Sequence, residues 1–160
     1  METLAGTSTF RHTTIPVETD HPTQFIDITD QLEALVSAAG LETGLVNIQT
    51  LHTTTAIVVN EHEPLLLTDF ETFLDRWASP AQTYRHDDES LRTVNLMPGE
   101  RANGHAHCQM LLLGTSACLN VVRGRLHLGI WQRVFLVELD GPRRREISIM
   151  AMGAFADERR

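Results

Sequence analysis

Two imidazoles stand two residues apart in Asn103-Gly104-His105-Ala106-His107-Cys108-Gln109-Met110, with a thiol beside the second. Read as an extended segment, the stretch sends alternate side chains to opposite sides, so His105, His107 and Gln109 share one face while Cys108 and Met110 take the other. A His-x-His pair of this kind gives a metal ion two neutral nitrogen ligands and needs one or two more from elsewhere. His52 at the end of "NIQTLH", His86 in "YRHDD" and Glu61 in "VVNEHEP" are the candidates. The same spacing also suits a solvated pair at a strand end, and spacing alone leaves both readings open.

Hydroxyls and guanidinium groups add a second kind of chemistry. Thr53, Thr54 and Thr55 follow His52 directly, and a row of hydroxyls and backbone amides can cradle phosphate oxygens. Threonine is also an ordinary strand residue. "GPRRR" puts Arg143, Arg144 and Arg145 together in an otherwise acidic chain, either as a solubilising turn or as paired donors to phosphate or carboxylate. Cys108 and Cys118 alternate with apolar neighbours and read as small core residues. His21, His62 and His127 read as surface or interface residues.

These groups have to be positioned by elements of both kinds. "TSTFRHTTIPVET" reads as a first strand ending near Pro16, and "TQFIDIT" as a second, shorter one. Asp30 with Glu33 three residues on resembles a capping box, followed by Leu32, Leu35, Val36 and Ala39 on one helical face and a stop at Gly40. "TGLVNIQTLH" and "TTAIVVN" are strand candidates. Pro64 opens a second helix with Leu66, Phe70, Phe73, Leu74 and Trp77 on one face, ending before Pro80. From Ala81 to Gly104 no period survives, and a loop of that length in a compact domain is usually functional. Beyond it come strand readings for "QMLLLG", "ACLNVV", the long "LHLGIWQRVFLVELD" after a hairpin at "RGR", and "EISIMAM". The fold class is α+β: one domain over residues 1–160, with a largely antiparallel sheet and two main helices.

Composition sets the outer bounds. A chain of 160 residues carrying a formal charge of −8 is long enough for one real core and lacks the net basic character of a broad nucleic-acid or anionic-membrane binder. No apolar run approaches the roughly 20 residues of a membrane span. The opening "METLAGTSTFRHTT" lacks a charged segment followed by an apolar one, so no secretory signal is expected, and two cysteines make no disulfide framework. A cytoplasmic protein binding neither nucleic acid nor membrane is the expectation.

"HTTTAIVVNE", "YRH", "HAHCQMLLLGTS" and "GRLHLGIWQRVFLVELDGPRRR" occur in this order, and the chain from about Phe10 to Met152 resembles the YjbQ-like family, also described as secondary thiamine-phosphate synthase. The resemblance implies an α+β fold assembling as a homotrimer, with pockets near the subunit interfaces. It implies a pocket lined by His52, Glu61, His86 and His107, and weak joining of a pyrimidine diphosphate to a thiazole phosphate with loss of pyrophosphate. Such chemistry wants a divalent cation and cationic groups for the departing diphosphate. Glu61 and His107 are then the expected catalytic residues. His52, His86, His105 and His107 are the expected metal ligands, and Thr53, Thr54, Gln109 and Arg143 the expected contacts to a small phosphorylated molecule. Two positions depart from the family pattern: Gln109 stands where lysine is common, and His105 where aspartate is common. The first removes a charge from the site, and the second favours a zinc-like ion over magnesium. A metal- or anion-binding trimer without catalysis, and a metal-assisted hydrolase, would use the same residues.

Overall fold

The computed structural model describes residues 9–156; Thr7 and Ser8 of the expected first strand, and both ends of the expected 1–160 domain, lie outside them. In chain order the elements are β1 (Thr9–Glu18), β2 (Gln24–Asp27), α1 (Thr29–Ala39), β3 (Leu41–Thr50), β4 (Thr55–Glu61), α2 (Pro64–Trp77), a 3-10 turn (Arg85–Asp87), α3 (Gly104–Leu113), β5 (Ser116–Val122), β6 (Arg125–Leu126), β7 (Gln132–Glu138) and β8 (Arg144–Phe155). Five strands form one sheet in the order β1-β8-β3-β5-β6, and three form a second in the order β2-β7-β4. Every pairing is antiparallel.

Strand alternation explains the layers. Val46, Ile48, Ile147 and Ile149 of the large sheet pack against Ile57, Val134 and Leu136 of the small one, with Leu32 and Val36 of α1 in the same cluster. The opposite faces of β4 and β7 send Ala56, Phe135 and Val137 into a second cluster with Leu74 of α2 and Ala106 of α3. A strand buried on both faces reads as an unbroken apolar run, and this is why "VFLV" in β7 shows no alternation.

Several expectations need correction. β1 runs through Pro16 without stopping there; it is the edge strand of its sheet, where a missing N–H is tolerated. The capping box on α1 does not form. The Thr29 amide donates to Asp27 Oδ1 at 2.9 Å, Asp30 pairs with Arg133 at 2.9 Å, and Glu33 accepts from the Leu126 amide instead. The long strand reading after "RGR" breaks into β6 and β7, separated by a tight turn at Gly129–Gln132. Cys118 is exposed on β5 and Cys108 only half-buried.

The largest difference is "GHAHCQMLLL", a third helix where a strand is expected. Asp87 Oδ1 accepts from the amides of Asn103 and Gly104 at 3.0 and 2.8 Å, so a carboxylate from the preceding turn satisfies the donors at the start of α3. Gly104 permits the approach: a Cβ there would lie 2.5 Å from Tyr84 Cβ. No helix among the described residues is long and apolar enough to cross a membrane.

Candidate functional site

Four segments converge on a cleft of about 480 Å³. The β3–β4 connection brings His52, Thr53 and Thr54, and the 3-10 turn brings His86. The following loop and α3 bring Arg92, Glu100, Asn103 and His107, and the chain from the end of β7 into β8 brings Asp140, Arg143 and Arg145. The frame behind it is a buried ion pair. Arg145 is 2% exposed and Glu138 not at all; Arg145 Nε donates to Glu138 Oε2 at 2.6 Å, and Nη2 reaches Thr54 Oγ1 at 3.1 Å. The other carboxylate oxygen accepts from the amides of Leu139 and Asp140 at 3.0 and 2.8 Å, and the Thr19 hydroxyl donates to Oε2 at 3.0 Å. Burial alone would raise the Glu138 carboxyl. The Arg145 hydrogen bond and the Asp140 amide outweigh it and hold the group below its usual range. Saturated hydrogen bonding of this kind is what lets a charge persist without water.

A second set of bonds ties the long loop to this frame. Asp140 accepts from Asn103 Nδ2 at 3.0 Å and pairs with Arg143 at 2.8 Å. Arg101 donates to the Asp140 carbonyl at 2.9 Å, while Arg92 pairs with Glu100 at 3.0 Å inside the loop.

The histidines occupy the space between. The Glu146 amide donates to His52 Nε2 at 2.9 Å. An accepting Nε2 must carry its lone pair, so the proton of the neutral ring sits on Nδ1 and the ring is a donor. Burial, then the nearby Arg145 charge, holds His52 below the ordinary histidine value. His86 and His107 meet edge to face with ring centroids 4.6 Å apart. Burial, then the neighbouring His86, likewise keeps His107 below its ordinary value, so its neutral, basic form prevails near pH 7. Two buried atoms of the lining, His86 Nε2 and Asn103 Oδ1, have no hydrogen-bond partner among the described residues.

The structure therefore brings together His52, Thr53, Thr54, His86, His107 and Arg143 of the expected set. Three expected residues are elsewhere in the chain. Glu61 closes β4 opposite Gln132, about 20 Å of strand beyond Thr55 at roughly 3.3 Å per residue. His105 lies across α3 from His107, because residues two apart on a helix point about 200° apart; its ring is 6.5 Å from that of Tyr84. Gln109 is 2% exposed and donates to the Ala78 carbonyl at 2.9 Å, locking α3 to the end of α2 instead of facing a ligand. Among the described residues no three His, Cys, Asp or Glu side chains are arranged to hold a metal ion. His86 and His107 supply two nitrogens, His52 Nε2 is engaged and His105 is turned away, so the expected four-histidine set does not assemble in one chain. Arg92, Glu100, Asn103, Asp140 and Glu138 are the lining and frame residues that sequence reading missed, whereas Arg145 of "GPRRR" is a paired donor to a carboxylate, that of Glu138. Of the missed residues, Glu138 and Asp140 left a signal: "VELDGPRRR" places these acids beside the basic run.

An antiparallel two-sheet sandwich backed by helices, with a His/Arg cleft built from its connections, defines a small α+β cleft protein. Residues 13–154 match the UPF0047 protein YjbQ-like profile, and the chain belongs to that family. A UPF0047 protein of Archaeoglobus fulgidus is 37% identical over 138 residues, covering 86% of this chain and 98% of its own length. One from Methanothermobacter thermautotrophicus is 33% identical over 87% of this chain and 90% of its own. Among solved structures, a YbjQ-like protein of unknown function from Sulfolobus solfataricus superposes with a TM-score of 0.81 at 35% identity, covering 92% of this chain and all of that one. A hypothetical protein from Aeropyrum pernix gives 0.79 at 35% identity over 90% of this chain and 99% of its own.

Proposed function

We propose that the cleft binds a small phosphorylated molecule and that the protein acts as a secondary thiamine-phosphate synthase-type enzyme, the activity its motifs resemble. The supporting observation is the convergence of His52, Thr53, Arg143 and the His86–His107 pair on one cleft. A hydroxyl, an imidazole N–H and a guanidinium are the donors that hold phosphate oxygens. In the joining reaction a thiazole nitrogen bonds to the pyrimidine methylene carbon while the carbon–oxygen bond to diphosphate breaks, and its electron pair leaves with pyrophosphate. Arg143 and His52 orient the phosphate and stabilise charge growing on the leaving oxygen. His107, neutral at pH 7, is the group placed to accept or return a proton.

The residues of one chain offer two imidazole nitrogens, fewer than the three protein ligands a catalytic zinc uses. Glu61 has no part in the cleft of its own chain. A cytoplasmic homotrimer that binds neither nucleic acid nor membrane completes the proposal; the net charge of −8 supports only its last part, the lack of a broad nucleic-acid or anionic-membrane surface.

The test is formation of thiamine phosphate from its two precursors by the full chain. Arg143→Ala and His107→Gln are each expected to lower kcat/KM by about 100-fold or more. Both precursors binding with no product at high enzyme concentration would leave an anion-binding protein without this catalysis. Release of inorganic phosphate from either precursor alone would indicate a hydrolase.

A further inference from the structure

Asn103 occupies the cap position of α3, where an asparagine ordinarily turns its side-chain oxygen onto the amides of the first turn. Its side chain makes no such bond, and Asp87 takes the donors at the helix start instead. Asn103 is 5% exposed in the lining of the cleft, and its Nδ2 donates to Asp140 Oδ2 at 3.0 Å. Arg143 pairs with the same carboxylate oxygen at 2.8 Å. The bond to Asp140 fixes which way the amide faces. Turned over, it would set Oδ1 against the carboxylate, acceptor against acceptor. Oδ1 is thus held in place, buried and with no hydrogen-bond partner among the described residues.

An amide oxygen accepts and never donates, and donation from its own Nδ2 to a carboxylate makes it the stronger acceptor. Phosphoryl oxygens at pH 7 are acceptors too, so Oδ1 is no partner for the phosphoryl group assigned to His52, Thr53 and Arg143. His86 Nε2, the second buried lining atom without a partner, can either donate or accept and selects neither kind of group. We infer that Asn103 is a specificity-determining residue for the organic part of the ligand, its Oδ1 accepting from an N–H or O–H group carried beside the phosphoryl group. The inference rests on the phosphoryl reading of the cleft and narrows it, from any small phosphorylated molecule to one bearing an amino or hydroxyl donor. Asp140 couples the two ends as a positioning residue, because its Oδ2 holds both Arg143 and Asn103. A ligand with the donor completes the bonding of the buried oxygen, and one without it leaves that oxygen unpaired; polar sites discriminate in this way.

Calorimetric titration of the full chain tests it, with inorganic phosphate and with phenyl phosphates carrying amino, hydroxyl or methyl at the meta or para position. At one ring position the amino or the hydroxyl compound is expected to bind wild type at least about 10-fold more tightly than the methyl compound. In Asn103→Ala that ratio should fall to within about 2-fold, whereas loss of a merely structural residue would weaken all the esters alike and preserve it. Should Asn103→Ala misfold, the Asn103 side-chain amide resonance of nitrogen-15-labelled wild type replaces it. That resonance is expected to shift with the preferred compound and to stay in place with the methyl one. Phosphate binding with no preference for either donor, a preference that survives in Asn103→Ala, or a resonance that moves equally with donor and methyl compounds would overturn the inference and leave the phosphoryl reading standing. A wild type that binds none of the probes, inorganic phosphate included, would overturn both.

Discussion

At the scale of residues, the cleft rests on charges kept away from water and on histidines kept neutral. Removing Arg145 leaves the Glu138 carboxylate buried and unpaired, so Arg145→Met is expected to cost about 3–5 kcal/mol in urea unfolding. The double variant with Glu138→Leu should recover much of the loss, and an unchanged midpoint for the single variant would contradict the role of the pair. His107 gives a pH signature. Its value in the folded protein lies below 6.5 because burial, then His86, disfavours the charged ring. Its neutral form is therefore retained as pH falls to 6.5, and the stability linked to it is lost only below that, through the lowered value. The proposed activity should stay level down to about pH 6.5 and then decline, and His107→Gln should abolish the acid limb. Asp27 works similarly at lower pH. Burial pushes its carboxyl up, but hydrogen bonds from Arg133, Thr29 and His62 bring it from 3.8 to about 2. Its contribution, up to about 2 kcal/mol, is present above the unfolded value and is lost as pH falls through the folded one. Asp27→Asn should flatten the stability profile between about pH 4 and pH 2.

At the scale of elements, α3 decides whether the cleft exists. Gly104→Ala places a methyl against Tyr84 and is expected to destabilise by about 1–3 kcal/mol; Asp87→Ala removes the cap for about 1 kcal/mol. Both should weaken phosphate binding more than Asp30→Ala, which lies on α1 away from the cleft. Much of the architecture was legible in sequence. β3, β4 and β8 follow strand signals, α1 stops at Gly40 and α2 starts at Pro64, and the resulting antiparallel α+β class holds. α3 was not legible because its pattern is inverted. It buries Gly104, Ala106 and Gln109 while Leu111 is 82% exposed, and the run "QMLLLG" imitates a strand. Misreading that one element put His105 and Gln109 on the site face. The motifs "HTTT", "YRH", "HAH" and "GPRRR" did mark the cleft. Arg92, Glu100 and Asn103 were hidden because their placement depends on long-range bonds from the loop to Asp140.

At the scale of the molecule, the two sheets and α1 share one core cluster, and the connections between elements carry the polar groups of the cleft. Each arginine of the cleft is already paired with a carboxylate, so binding there depends on fixed direction more than on net charge. The central claim is that the cleft receives a phosphoryl group, and the most direct measurement is a crystal structure of the full chain grown with a thiazole phosphate. The expected result is a phosphoryl group within hydrogen-bond distance of His52, Thr53 and Arg143, lost in Arg143→Ala. Density for the compound at another surface, with His52 and Arg143 still making only their contacts to Glu146 and Asp140, would contradict it.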